Sequence, residues 1–242
     1  MIGLGTIINV AGILLGGFGG ILFGKRMKQR YQDILIQAIG ICTLFLGIGG
    51  CLEEMLTIQQ GKLSSSGTMM LIASFCIGGL IGEWLNIEKH MEQFGDWLKQ
   101  KSKSDGDNRF VEGFVTTSLT VCIGAMAVVG SIKDGISGDY SILATKAILD
   151  LVLVLVMTAS LGKGCIFSAI PVALFQGVIT LLAKLIEPLM TEQALSNLSL
   201  TGSILIFCVG INLVWGKKIK VANLLPSIVL AVVCAFLPFS IS

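Results

Sequence analysis

Apolar residues in this chain come in long unbroken blocks, with neither strand alternation nor narrow amphipathic stripes. Eight can be drawn, at roughly 2–24, 33–52, 68–86, 111–131, 141–161, 164–186, 198–215 and 221–239. Each is about 20 residues, the number that crosses a hydrocarbon core of about 30 Å at about 1.5 Å per residue. A backbone exposed to lipid must satisfy its own hydrogen bonds, so the blocks predict helices. The expected fold is therefore all-α: a polytopic membrane helix bundle of about eight transmembrane helices, forming a single membrane domain over 1–242.

The loops give this count a sidedness. Lys25, Arg26, Lys28 and Arg30, then Lys89, Lys99, Lys101, Lys103 and Arg109, then Lys163, then Lys217, Lys218 and Lys220 all fall on one side of an eight-span topology, thirteen of the 17 basic residues. Basic loops stay on the cytoplasmic side. The expectation is a multipass protein with both termini outside.

Residues 87–109 interrupt the pattern. Ile87, Met91, Phe94, Trp97 and Leu98 recur at helical spacing opposite Lys89, Glu92, Asp96 and Lys99, which predicts a cytoplasmic amphipathic helix lying in the interface, followed by a polar tail from Lys101 to Asn108.

Comparison of the blocks with one another suggests repeats. Gly-rich runs at Leu15–Gly20, Ile77–Gly82 and Phe175–Gly177 each precede a span with a central glycine, Gly47, Gly124 or Gly210. This arrangement divides the chain into sub-units 1–60, 67–161 and 164–242, with spans 3–5 and 6–8 as inverted three-helix repeats of the kind found in transporters.

Within the spans, Gly12, Gly16, Gly20 and Gly24 recur every four residues and form a helix-packing face for a neighbouring helix of this chain or of a second copy, which makes a homo-oligomer a candidate assembly. Charges inside spans carry more information, because an unpaired one at the bilayer centre costs about 2.5–3.5 kcal/mol. Lys146 and Asp150 lie four apart on one helix face, just after a polar stretch containing Lys133, Asp134 and Asp139. Asn9, Gln37, Glu83, Gln176 and Asn212 are the other polar residues in spans, and Pro171, Pro226 and Pro238 mark spans 6 and 8 as candidate broken helices. Asp134, Lys146, Asp150, Gln176, Asn212 and Asn9 are the expected solute pathway, with Gln176 and Asn212 facing the charged group.

Composition agrees. The chain is 54% hydrophobic and only 13% charged, against about 25% charged in a soluble domain, so a soluble enzyme is excluded. A net charge of +2 gives nucleic acid nothing to bind. The seven cysteines include no C-x-x-C pair, and those in apolar runs read as reduced packing residues. No H-E-x-x-H, G-x-S-x-G or metal-ligand spacing is present and the single histidine, His90, lies in a loop, so no enzymatic activity, cofactor or metal is expected. The start lacks a removable signal peptide's basic region and cleavage site, so the first span is expected to be retained.

The run Cys122-Ile-Gly-Ala-Met-Ala-Val-Val-Gly-Ser-Ile-Lys-Asp-Gly through Lys146-Ala-Ile-Leu-Asp150 resembles the domain-of-unknown-function 554 family of bacterial inner-membrane proteins. Gly5–Asn9, Phe167–Pro171 and Val221–Pro226 resemble it too, with Lys133 standing where many members carry glutamine. The resemblance implies a multipass protein of the bacterial plasma membrane. Architecture and intramembrane charges together suggest a transporter or channel for a small ionic solute. The alternative is a sensor or scaffold that acts through the 87–109 loop without transporting anything.

Overall fold

A computed structural model describes residues 1–24, 27–59, 62–104 and 106–237. Lys25, Arg26 and Pro238 lie outside the described residues. The chain divides into two compact units, Met1–Ile39 with Lys89–Glu187 and Gly40–Glu88 with Pro188–Ser242. These follow packing and are a different partition from the sequence sub-units 1–60, 67–161 and 164–242.

The apolar blocks are helices. Six elements are long and apolar enough to cross a membrane: α1 (Leu4–Gly24), α2 (Gln29–Met55), α3 (Thr68–Leu85), α7 (Ser141–Leu161), the Lys163–Leu181 segment ending in α8 (Ala169–Leu181), and α10 (Glu192–Trp215). The short α9 (Ala183–Ile186) follows α8. Between α3 and α7, α4 (Ile87–Lys101) is the amphipathic helix expected there. Its Leu98 is buried, and Phe94 meets Phe114 edge-on at 5.8 Å while stacking on Trp97 at 5.7 Å. Part of its apolar face is thus spent on protein, while Trp97 stays half exposed.

Two blocks depart from the uniform picture. The fourth, expected as one span over 111–131, is a pair of helices, α5 (Phe110–Cys122) and α6 (Ala125–Ser137), bent by 62°. The bend sits at Gly124, whose φ of 146° a side chain would strain. The eighth forms a 3-10 turn, Val221–Leu224, and then α11 (Pro226–Cys234), an apolar stretch too short to count as a full crossing. Among the described residues the count is therefore six crossing helices, or seven with the bent pair. One element was not expected at all: β1 (Leu56–Gln59) pairs antiparallel with β2 (Lys62–Ser65) between α2 and α3.

In the first unit α1 lies on α7. A methyl group at Gly12 or Gly24 would come within 2.8 Å of the Ala147 carbonyl oxygen or 2.9 Å of that of Ala159, and at Gly16 and Gly20 it would press harder still on those of Leu151 and Leu155. Four residues on one helix match four on the other with both numbers rising, so the helices run parallel, backbone against backbone. The four-residue glycine face is consumed inside the chain, which withdraws its support for a homo-oligomer. On the opposite side Ile7, Leu15, Phe18 and Leu22 are all more than 60% exposed, an apolar stripe suited to lipid and not to water.

In the second unit α2 and α10 meet in antiparallel register, Gly40 against Val214, Gly47 against Phe207 and Gly50 against Ser203. Gly78 and Gly82 of α3 meet Ser227 and Asn223 in the same sense. Each unit also contains one hairpin of common build. A helix ends on a glycine with positive φ, Gly162 (95°) or Gly216 (76°), then a lysine, a 3-10 turn and a helix with proline in its first turn, Pro171 or Pro226. Proline has no N–H to lose in a first turn, so the chain re-enters as a helix without a missing bond. The prolines thus do mark irregular helix starts, as expected for spans 6 and 8.

Candidate functional site

The residues singled out in the sequence converge in the first unit. Lys146 and Asp150 project from one face of α7, and Lys146 Nζ donates to both carboxylate oxygens, at 2.8 and 2.6 Å, with each side chain 9% exposed. Two charges within a span are tolerable when each neutralises the other, and the i, i+4 spacing makes this automatic.

Asn9 of α1 lies alongside Asp150 and donates through Nδ2 to Gln176 Oε1 of α8 at 3.3 Å. Both amides are buried completely or nearly so, yet Asn9 Oδ1 and Gln176 Nε2 have no partner. Asp134, on α6, is fully buried and accepts the Gly5 N–H through Oδ2 at 3.0 Å, which places a carboxylate at the positive end of the α1 dipole. Its Oδ1 is unpartnered. Lys133, on the outer side of α6, and Asp139, just after its end, are both exposed.

These unsatisfied atoms are unevenly distributed. Of the eleven buried side-chain polar atoms without a partner among the described residues, ten lie in the first unit, on Thr6, Asn9, Ser118, Ser131, Asp134, Thr158, Ser160, Ser168, Gln176 and Thr180. Only Thr201 belongs to the second. Each such group costs about 1–3 kcal/mol if nothing binds it. Water or a solute would remove that cost. A dry layer interrupts the polar line: Ile13, Val121, Val154, Ala169 and Val172 pack together. Ile13 is one helical turn from Asn9, Val154 one turn from Asp150 and Val172 one turn from Gln176, so the apolar layer lies one turn beyond the polar one.

Past this layer, where α1 ends, the first unit opens into a cleft of about 870 Å³ bounded by Gln32, Asp33, Lys103, Asp107, Arg109 and Ser160. Arg109 bonds loosely there to Asp33 at 3.4 Å and to the Ser160 carbonyl at 3.5 Å. Asp107 accepts from the Arg109 and Lys163 N–H groups at 3.1 Å each.

Asn212 takes no part in this. It lies in the second unit, where its Oδ1 accepts from Lys218 N and Ile219 N at 2.8 and 2.9 Å and its Nδ2 donates to the Ile219 carbonyl at 2.7 Å. An asparagine at the last turn of a helix is spent on clamping the loop that follows. Nearby, sequence reasoning missed a polar knot. Glu88, buried, accepts from Lys217 Nζ and Ala222 N, both at 2.9 Å, while Asn223 accepts the Glu88 N–H at 2.7 Å and donates to Glu83, itself paired with Lys220 at 2.6 Å. Its signal was Glu83 near the end of an apolar span. All seven cysteines are free thiols, but Cys42 and Cys76 are exposed and do not pack in the core.

Long apolar helices, lipid-suited outer faces and charge-paired interior polar residues define a polytopic helical membrane protein. The chain belongs to the family described as Protein of unknown function (DUF554), whose model matches residues 4–236. It is 33% identical over 232 residues to the uncharacterized membrane protein YdfK of Bacillus subtilis (strain 168), covering 96% of this chain and 95% of that one. It is 27% identical over 232 residues to the uncharacterized protein YqgA of Escherichia coli (strain K12), covering 94% of each. No solved structure matches the chain.

Proposed function

We propose that the protein is a transporter or channel for a small ionic solute across the bacterial plasma membrane, with the pathway inside the first unit. The observation that carries this reading is the concentration in that unit of ten of the eleven buried side-chain polar atoms without a partner among the described residues, with Asp134, Asn9 and Gln176 among them. Groups that cost energy while empty at membrane depth are the ones a permeating solute and its water would bind. The dry layer at Ile13, Val121, Val154 and Val172 acts as the closed gate between this chamber and the cleft at Arg109. The basic residues in its lining, Lys103, Arg109 and Lys163, support a cytoplasmic side for that cleft.

Uptake and efflux in proteoliposomes, across a panel of inorganic ions and small metabolites, test the proposal. Flux that falls at least tenfold in Lys146→Ala and Asp150→Asn supports it, and flux unchanged in both removes the site.

A second reading, a sensor or scaffold working through α4, draws on one observation: Lys146 and Asp150 already satisfy each other. On that reading no solute moves in the panel, and deletion of the exposed Trp97 side chain alters association with a partner.

A further inference from the structure

Where α1 begins, the first unit holds a cluster of one chemical kind. Asp134 Oδ1 and Ser131 Oγ on α6, Thr6 Oγ1 on α1 and Thr180 Oγ1 on α8 are all buried and all without a partner. Ser131 and Asp134 are three apart and share a helix face. Thr6 follows Gly5, whose N–H holds the other oxygen of Asp134. On the far side Gly135 packs directly on the Thr180 backbone carbonyl. Three mutually packed helices thus carry four buried oxygens without a partner, on or next to the residues that join these helices at Asp134 and Gly135.

We propose that this cluster binds a dehydrated monovalent cation of the Na⁺ type, with Asp134 Oδ1 as the charged ligand and the three hydroxyls as neutral ones. Hard cations take oxygen ligands. A single carboxylate balances one positive charge, whereas a divalent ion would leave a charge uncompensated at membrane depth. An anion would face the carboxylate directly. No group of three His, Cys, Asp or Glu residues suited to a transition metal exists among the described residues. Lys146 does not supply the missing charge, since Asp150 neutralises it. Less than 1 Å² of each of the four oxygens is accessible, so an ion entering here leaves its water behind. Gly135 keeps the α8 backbone close at Thr180, and Gly5 lets Leu143 and the Asp134 carboxylate close on α1, which favours a small ion over K⁺. As the ion site of a transporter the cluster rests on the reading above, but as a binding site it stands on its own geometry.

Equilibrium binding of ²²Na⁺ to the purified full chain in detergent tests this, alongside thermal unfolding in NaCl and in choline chloride at equal ionic strength. Saturable binding is expected, with a Tm several degrees higher in NaCl. Asp134→Asn should abolish both effects, Ser131→Ala and Thr180→Val should weaken binding by about tenfold, and Thr201→Val, which removes the unpartnered hydroxyl of the other unit, should leave it unchanged. Absence of saturable binding to the folded wild-type chain overturns the site without reference to any variant. So does binding that survives in Asp134→Asn, or a Tm that follows pH but not Na⁺. Binding without flux in proteoliposomes upholds the site and overturns transport, and flux without Na⁺ binding does the reverse.

Discussion

Asp134 and Gly5, 129 residues apart, are joined by a 3.0 Å hydrogen bond from the Gly5 N–H to Asp134 Oδ2 inside the membrane-spanning part of the first unit. The bond fixes the first turn of α1 against α6, and it leaves the other carboxylate oxygen free. A side chain that both holds a helix end and presents an unsatisfied oxygen is structural and available for binding at once.

The α1–α7 contact leads to a packing prediction. Gly16→Val and Gly20→Val should each destabilise the protein by about 1–3 kcal/mol or more, because the new side chain meets a backbone carbonyl that has no room to retreat. Gly177, with open space at its Cβ position, is the control. Gly177→Ala should be neutral or stabilising by up to about 1 kcal/mol through helix propensity. Thermal unfolding in detergent checks all three.

The buried ion pair is better removed whole than halved. Lys146→Ala or Asp150→Ala alone leaves an uncompensated buried charge and should cost about 3–5 kcal/mol, whereas Lys146→Met with Asp150→Leu should cost less than either. A double-mutant cycle measured by chemical or thermal denaturation decides the point. A double variant worse than both singles would show that the pair is held in place by its surroundings and not merely by itself.

The knot at Glu88 should govern the loop between α10 and α11. Glu88→Ala leaves the Ala222 N–H without its acceptor and removes one ion pair of Lys217, and Asn223→Leu removes two side-chain hydrogen bonds, so each should cost about 1–3 kcal/mol and expose residues 216–220. Limited proteolysis should then cut at Lys217, Lys218 or Lys220 faster than in the wild type.

Asp139 lies outside the spans, and the Ser141 hydroxyl and N–H hold its carboxyl below the usual range. A carboxyl depressed in the folded state contributes stability above its unfolded value, and that contribution fades as pH falls through the folded value. Acid unfolding of Asp139→Ala should therefore part from wild type at neutral pH and rejoin it at the acid end. Curves that stay apart by a constant amount down to the lowest pH would contradict this.

Hydropathy alone located α1, α2, α3 and α7 to within about four residues and the end of α10, whose start lies six residues earlier than expected, because lipid-length apolar runs have no other use. It failed at the fourth block for a physical reason. Apolar composition continues through Ile123 and Gly124 without change, and the only trace of the break is a single glycine of the kind that recurs throughout the chain. The pairing of strands Leu56–Gln59 and Lys62–Ser65 was missed because strands of four residues leave no periodicity to read. Lys146 and Asp150 were legible as a pair from spacing within one helix, whereas Asn9 and Gln176, separated by 167 residues, were legible as polar residues in spans and not as neighbours. Asn212 looked equivalent to Gln176 because each sits beside a glycine, but only the fold shows that loop 216–220 takes up all its hydrogen bonds.

The parallel seating of α1 on α7 has a consequence for how the protein is made. Gly24 is synthesised well over a hundred residues before the partner helix is complete at Leu161. In the interval the first helix stands in the bilayer with its glycine groove uncovered and Asn9 facing lipid or whatever escort the insertion machinery offers. The gene order of the helices thus sets a waiting time. A ribosome stalled before α7 emerges should release a chain whose first helix is inserted but unseated, and the first unit can close only when its own fifth apolar block arrives.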